Sequence, residues 1–423
     1  MVQEHLNCRG WKIIRVISES YVEFDIVGEC MRKKIYSNLV IILFCLLNLS
    51  GCGTKKKVNV NNVDKYNVHL IEQYDSDTQP YWNTFYHNAA CGNEGYYYGS
   101  FGFLYFYDMG THESYPVCSK ANCQHKEHTG CEADFCSEDA DIKWVDLNIY
   151  YYKDNLYVIS DDGDIVRVST DGHKKEIVVK NVFQPTDLVG QCLTFSGNYV
   201  YAYNMNEHFV TEGVYTEKIT RCNLTDGSKD VIYEYKGEKS AICALKSYGN
   251  QLFFVIQVYE KVENDDAELW TRNSKGLYGY NEDSGEIGKI LDGNIVDYTV
   301  NVNDNCIYYF VKNDGIYKYN IESEEDIKII DSKEYAISYG NISSDEQYIY
   351  IDNSWASGKT QGEIYVFNKE GCNVNVISRK GCHGWALFGD EQYMIDIYGD
   401  DDGKEKIQYI EKKKAVDEWE WIR

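Results

Sequence analysis

The chain has 423 residues, enough for one large or two ordinary domains, and its 39 tyrosines against three prolines favour strands. A formal net charge of −25 excludes a nucleic-acid partner for the folded part, because a phosphate binder needs a basic stripe. No helical periodicity runs through the body of the chain, so the expected class is all-β.

Residues 1–30 fit no leader pattern and are expected to be a mis-called upstream extension, with Met31 as the start. Met31-Arg32-Lys33-Lys34 is a short positive region, Ile35 to Leu47 is mostly apolar, and Leu49-Ser50-Gly51-Cys52 follows at once. Residues 31–51 resemble a bacterial lipoprotein signal peptide ending in a lipobox. The resemblance implies cleavage before Cys52 and acylation of its thiol. It places the chain on the extracytoplasmic face of the cell membrane, in a Gram-positive bacterium, held by a lipid anchor. A spanning helix is the rival reading, but the apolar run falls short of the roughly 20 residues a span needs. Residues 52–67 then read as the lipidated cysteine and a polar tether. Its Lys55, Lys56 and Lys57 would each contribute about 1 kcal/mol at an anionic membrane surface.

From residue 68 to 423 one phrase recurs: an apolar residue, usually Tyr next, an aromatic or apolar residue two further on, then a polar turn. The copies begin at Leu104, Ile165, Ile219, Leu277, Ile316, Ile364 and Ile407. Self-similarity at a period of about 40 to 60 residues on short alternating strands predicts a β-propeller with one repeat per blade. Seven four-stranded blades are expected, with six or eight as the neighbouring counts. In the second blade the strands are expected at 147–152, 156–160, 164–169 and 175–180, and in the fifth at 296–302, 306–312, 316–320 and 327–331. The Asp/Asn/Gly turns between them tolerate positive φ. Val68 to Tyr74 alternates and is expected to join the last blade, with Val416 to Ile422 as its edge strand.

Three blades are longer between their second and third strands, at 205–217, 259–275 and 353–363. Long loops on one face of a rigid scaffold are where ligands usually bind. They carry His208, Phe209, Tyr215, Trp270, Arg272 and Trp355 as ligand-binding candidates, aromatic and polar groups that suit a sugar ring or a peptide. The alternative is that each aromatic side chain packs its own loop down.

Of the 15 cysteines, four crowd into one insertion at 118–136: Cys118-x4-Cys123-x-His125-x2-His128-x2-Cys131-x4-Cys136. Cys118, Cys123, His125 and Cys131 are the candidate ligands of a closed, structural Cys3His zinc site, with His128 and Cys136 as alternates. Disulfides are the competing staple outside the cytosol, and free thiols the third reading. Cys192, Cys222, Cys243 and Cys306 fall in strands, as small core residues.

Gly95-Tyr-Tyr-Tyr, Leu104-Tyr-Phe-Tyr-Asp, Val117-Cys118-Ser-Lys-Ala-Asn-Cys123-Gln-His125 and Cys131-Glu-Ala-Asp-Phe135 together resemble uncharacterised propeller lipoproteins of anaerobic Firmicutes. The later repeats resemble domain-of-unknown-function propellers of the TolB and low-density-lipoprotein-receptor types. That resemblance implies fold and location only. No serine-hydrolase elbow, phosphate loop or paired-histidine zinc-protease motif is present. The leading expectation is therefore a monomeric, non-catalytic envelope lipoprotein whose propeller face binds a glycan or a protein. The alternative is an extracytoplasmic hydrolase or lyase with convergent His and Asp/Glu residues in the channel, and a third is a scaffold within an envelope assembly.

Overall fold

The computed structural model describes residues 65–69, 88–100, 102–126, 129–135, 148–184, 190–204, 214–238, 240–262, 269–335, 337, 340–353, 362–379, 389–400 and 403–423. The leader, Cys52 and most of the tether lie outside these residues. The described chain is an array of antiparallel meanders. Blade one is β1 (Ala89–Cys91), β2 (Gly95–Ser100), β3 (Phe103–Asp108) and β4 (Glu113–Pro116). Blade two is β5 (Tyr150–Tyr152), β6 (Asn155–Ile159), β7 (Ile165–Ser169) and β8 (Lys175–Val179), and blade three is β9 (Gln191–Ser196), β10 (Tyr199–Asn204), β11 (Val214–Asn223) and β12 (Lys229–Glu238). Blade four is β13 (Ser240–Tyr248), β14 (Gln251–Val262), β15 (Leu269–Asn281) and β16 (Ile287–Leu291). Blade five is β17 (Ile295–Asn301), β18 (Cys306–Val311), β19 (Gly315–Asn320) and β20 (Asp326–Asp331), and blade six is β21 (Asn341–Ser344), β22 (Tyr348–Asp352), β23 (Glu363–Asn368) and β24 (Asn373–Ser378).

The structure thus has six four-stranded blades, not the expected seven. The last copy of the phrase forms a two-stranded sheet, β25 (Tyr393–Gly399) and β26 (Glu405–Glu411). Its two sides are used differently. Ile395, Ile397, Ile407 and Tyr409 pack with Tyr96, Tyr98 and Tyr107 of blade one, while Met394 and Ile410 pack with Tyr350, Ile364 and Val366 of blade six. The small sheet fills the space between the first and sixth blades. At the C-terminus only Ile422 pairs with it, opposite Tyr409. Val416–Glu418 is a short 3-10 turn, not the expected edge strand.

The inner strands of the blades are more buried than the fourth in blades one and five. β9 and β17 are buried at every position, whereas β4 and β20 are mostly exposed. The first strands therefore line the middle of the array. The tyrosines explain the seams between blades. Phe195 of blade three sits among Tyr150, Tyr152 and Tyr157 of blade two, with ring centroids 5.9, 5.1 and 4.7 Å away. A tyrosine fills such a seam and still reaches the neighbouring backbone with its hydroxyl. Tyr150 accepts from Leu193 N at 3.0 Å, and Tyr298 donates to Ala244 O at 2.7 Å. Each aromatic pair adds about 0.5–1.5 kcal/mol beyond its buried area.

The meander gives the molecule two unlike faces. First-to-second turns touch their neighbours on one of them, the turn face: Lys153 Nζ donates to Gly197 O at 3.0 Å and Asn301 Nδ2 to Asp345 O at 2.8 Å. The opposite link face carries the starts of the first strands, the ends of the second strands and the links between blades. Gln191 pairs there with Asn204, and Asn341 with Asp352.

Of the segment Val68 to Tyr74 expected in the last blade, residues 70–74 lie outside the described residues, and Val68 packs with residues of blades four and five. Lys65 bridges Lys289 of β16 in parallel, Tyr66 N donates to Lys289 O at 2.8 Å, and the Tyr66 hydroxyl donates to Gln251 Oε1 at 3.0 Å. The Tyr66 ring lies where a Cβ on Gly279 would be, 2.4 Å from its Cδ1. Lys65 also pairs with Glu324, in a turn on the turn face. A glycine in the wall of blade four thus creates the seat that residues 65–69 occupy.

Candidate functional site

The insertion after β4 brings the predicted ligands together. Donor atoms of Cys118, Cys123, His125 and Cys131 all lie within 4.8 Å of one another. Cys131 Sγ is 3.6 Å from His125 Nδ1, against an S···N edge of about 3.6 Å for a tetrahedron with zinc–ligand bonds of ordinary length. Asn122 and His125 adopt positive φ, 62° and 49°, which folds the short loop back on itself and turns its donors inward. No disulfide joins Cys118, Cys123 and Cys131 to one another in the structure. Cys131 is buried and its thiol is pushed up to about 12 by that burial. Cys123 is held below its usual value, first by a hydrogen bond from the His125 backbone. A buried thiol this reluctant to ionise is compatible with a cation that takes over from the proton. The donor set fits a metal ion with all four positions closed.

Further contacts fix the knob to two blades. Leu104 N donates to Ala133 O at 2.9 Å and Phe135 N to Gly102 O at 3.0 Å, so the returning chain adds to blade one. Buried Glu132 accepts from Ser119 N at 2.8 Å and pairs with His173 Nδ1 of blade two at 2.9 Å. Burial raises the Glu132 carboxyl, but His173 and Ser119 outweigh it and hold it below the ordinary range. Gly172 has φ +78°, and a Cβ there would sit 2.2 Å from Val117 O. Only glycine allows the turn of blade two to touch the root of the knob this closely.

The link face is the second region of interest. Among the described first strands the only carboxylate is Asp297, and its Oδ1 lies 3.4 Å from Lys246 Nζ. Burial lowers the Lys246 ammonium and raises the Asp297 carboxyl, each opposed by the partner. Arg379 donates to Asp396 at 2.6 and 2.9 Å and lies 3.5 Å from Asp352. These charges are taken up by one another. Buried Glu217 and Asp164 also stand at this end, and among the neutral groups Gln191 and Asn341 have both amide atoms buried with no hydrogen-bond partner, while Ser240 Oγ, Gln257 Oε1, Asn204 Oδ1, Ser343 Oγ and Asn353 Oδ1 share that condition. Such groups are rare in a native interior unless a ligand or water meets them. A cavity of about 510 Å³ opens beside Asn204, between the link leaving blade two and the strands of blade three. Another, of about 500 Å³, lies on the turn face beside Asp345, Glu391 and Lys412.

The candidates from the long loops are placed only in part. His208, Phe209 and Trp355 lie outside the described residues, as do the alternates His128 and Cys136. Tyr215, Trp270 and Arg272 are on strands, not in loops, because β11, β14 and β15 continue outward as long hairpin arms. Tyr215 is opposite Gly237, Trp270 opposite Lys261 and Arg272 opposite Tyr259. The polar ring went unnoticed in the sequence. Its signal is faint but present: Gln191 and Ser240 each open a strand that is otherwise largely apolar, and Lys246 interrupts one.

No protein-family model and no curated protein matches the chain. Among solved structures it is similar to an oligogalacturonate lyase from Vibrio parahaemolyticus, at 12% identity and a TM-score of 0.46 over 79% of this chain and 91% of that one. BamB from Moraxella catarrhalis is similar at 12% identity and a TM-score of 0.40, over 76% and 83%. The AfRom2 CNH domain is similar at 8% identity and a TM-score of 0.45, over 78% and 96%. At such identities and scores the likenesses carry no argument about function.

Proposed function

We propose that the chain is a non-catalytic, lipid-anchored propeller of the bacterial cell envelope whose link face binds a glycan. The observation that carries this reading is the inner ring, where amide and hydroxyl groups are left without partners while Lys246 is paired with Asp297 and Arg379 with Asp396. Hydroxyl-rich ligands are recognised by neutral donors and acceptors in fixed positions. Hydrolysis or elimination in the channel would instead need a carboxylate or imidazole free to move a proton, and Asp297 is held by Lys246. The docking of residues 65–69 near the turn face supports the anchored arrangement.

A structural zinc ion at Cys118, Cys123, His125 and Cys131 completes the proposal. It would join the insertion to blades one and two, and it would leave no position for a substrate. The full chain is incubated with purified cell-wall polysaccharide, and both depletion of protein from solution and release of new reducing or unsaturated ends are measured. Depletion without new ends is expected. Released ends would replace the binding reading with the hydrolase or lyase, and neither effect would end both. In cells, Cys52→Ala should move the protein out of the membrane fraction; retention there would refute the lipid anchor.

A further inference from the structure

We propose that the cavity beside Asn204 is a subsite for one neutral sugar ring. This deepens the glycan reading and rests on it. The cavity, about 510 Å³, is lined on one side by Asn181, Phe183 and Gln184 of the link leaving blade two and on the other by β10, β11 and β12. That volume is within the range of small-ligand sites.

Strand alternation decides which side chains face it. Val200 and Ala202 pack with Phe195 against blade two, while Tyr201 and Tyr203 pack against blade four, so Asn204 is on the blade-two side. Ala202 is opposite Thr220, which puts Thr220 on that side too, with Thr216 and Lys218 two and one alternations before it. Ile219 packs against blade four, and Glu217 shares its side. The wall therefore presents an amide and two hydroxyls, and its charged residues are two of each sign, Lys218 and Lys229 against Glu217 and Asp230, the last paired with Arg221. Lys229 is committed, since its Nζ donates to Lys180 O at 2.7 Å and Asn181 O at 2.8 Å. Lys218 is exposed and stands opposite Glu234 in the ladder. Net charge at the wall is thus offset, which disfavours an ionic ligand.

Three further atoms point to hydroxyl recognition. Asn204 Oδ1 is buried and accepts no hydrogen bond, and its ladder partner Gln191, 1% exposed, has both amide atoms in the same state. Adjacent side chains of an antiparallel pair stand on one side of the sheet. Asn204 lines the cavity and Gln191 stands beside it in the ladder; together they leave two acceptors and a donor unpartnered, the set that a vicinal diol satisfies. Val182 and Phe183 supply apolar wall for the ring carbons.

The test measures binding of the full chain to soluble cellotetraose, chitotetraose, maltotetraose and mannotetraose, with tetragalacturonate as the charged counterpart. Wild type should bind at least one neutral tetrasaccharide. Asn204→Leu and Thr220→Val should each weaken it about five- to tenfold, the effect of one lost hydrogen bond. Melting temperatures show whether each variant is folded, and Asn204→Ala is the second choice if the leucine does not fit. Unchanged binding in folded Asn204 and Thr220 variants, with loss in Asn341→Leu, would overturn the subsite and leave glycan binding on the ring standing. Binding of tetragalacturonate alone would overturn the neutral-sugar assignment. No binding to any of the five, with binding to cell-wall polysaccharide also absent, would overturn the glycan reading and the subsite with it; polysaccharide binding alone would overturn only the subsite.

Discussion

Lys246 Nζ lies 3.4 Å from Asp297 Oδ1 across the seam between blades four and five, and both side chains are almost fully enclosed. The contact depends on an irregularity in β13. Pairing jumps from Cys243 opposite Val255 to Lys246 opposite Phe253, and Ala244 takes φ 53° in between. A bulge of this kind re-aims the following side chain. Here it sets Lys246 over the Tyr298 ring, 4.6 Å from the centroid, with the ammonium also donating to Tyr298 O. Asp297 in turn accepts from Ile342 N at 3.0 Å, which carries the link on to blade six.

Asp297→Ala should therefore destabilise the fold by about 3–5 kcal/mol, because it leaves an ammonium buried without its counter-charge. Lys246→Met combined with Asp297→Leu should cost less than the single change. Urea unfolding of the three proteins measures it. A double variant as unstable as Asp297→Ala, or more so, would show that the pair is not a unit.

Asp345 predicts a pH dependence. Burial raises its carboxyl, but the Lys412 ammonium at 2.9 Å and the Tyr350 hydroxyl outweigh burial and hold it below the ordinary carboxylate range. A depressed folded value means that the stabilisation is complete above the unfolded value of about 3.9 and is lost as the pH falls through the folded one. Wild type should exceed Asp345→Asn in urea midpoint at pH 6, and the gap should narrow on acidification below about pH 4. A gap that stays constant down to pH 2.5 would contradict the assignment.

Gly172→Ala places a Cβ 2.2 Å from Val117 O at a position with φ +78°. Strain of that kind costs about 1–3 kcal/mol. The variant should melt lower and be cut by protease within 117–135 sooner than wild type. Chelator treatment should do the same to wild type if the four donors hold a metal, and Cys131→Ser should make the protein insensitive to the chelator.

Gly279→Val should evict the Tyr66 ring, because the new side chain occupies its seat. Cleavage near residues 65–69 is expected to accelerate, read by limited proteolysis and mass spectrometry. The propeller itself should unfold at nearly the same urea concentration, since few of its seams involve this segment. Equal cleavage rates would show that Tyr66 is not seated there.

Much of the fold was legible because its signals are local. The fifth blade's expected strands at 296–302, 306–312, 316–320 and 327–331 match β17 to β20 to within a residue or two at each end, since alternation and Asn/Asp/Gly turns are set by neighbours along the chain. The Cys3His donors were legible for the same reason, being close in sequence. Tyr215, Trp270 and Arg272 were misplaced into loops because polar and aromatic residues in a hairpin arm look the same whether or not the arm is paired.

The sequence by itself determined an all-β propeller, the position of the cysteine insertion and a set of candidate donors in it, four of which the structure brings together. Each rests on periodicity or short-range spacing. Only the tertiary structure decided that six four-stranded blades form and a two-stranded sheet lies between the first and the last, that residues 65–69 sit on blade four, and that Gln191, Asn204, Ser240 and Asn341 share one face without partners. Those facts arise from contacts between residues far apart in the chain, where one bulge at Ala244 or one missing Cβ at Gly279 decides what can touch.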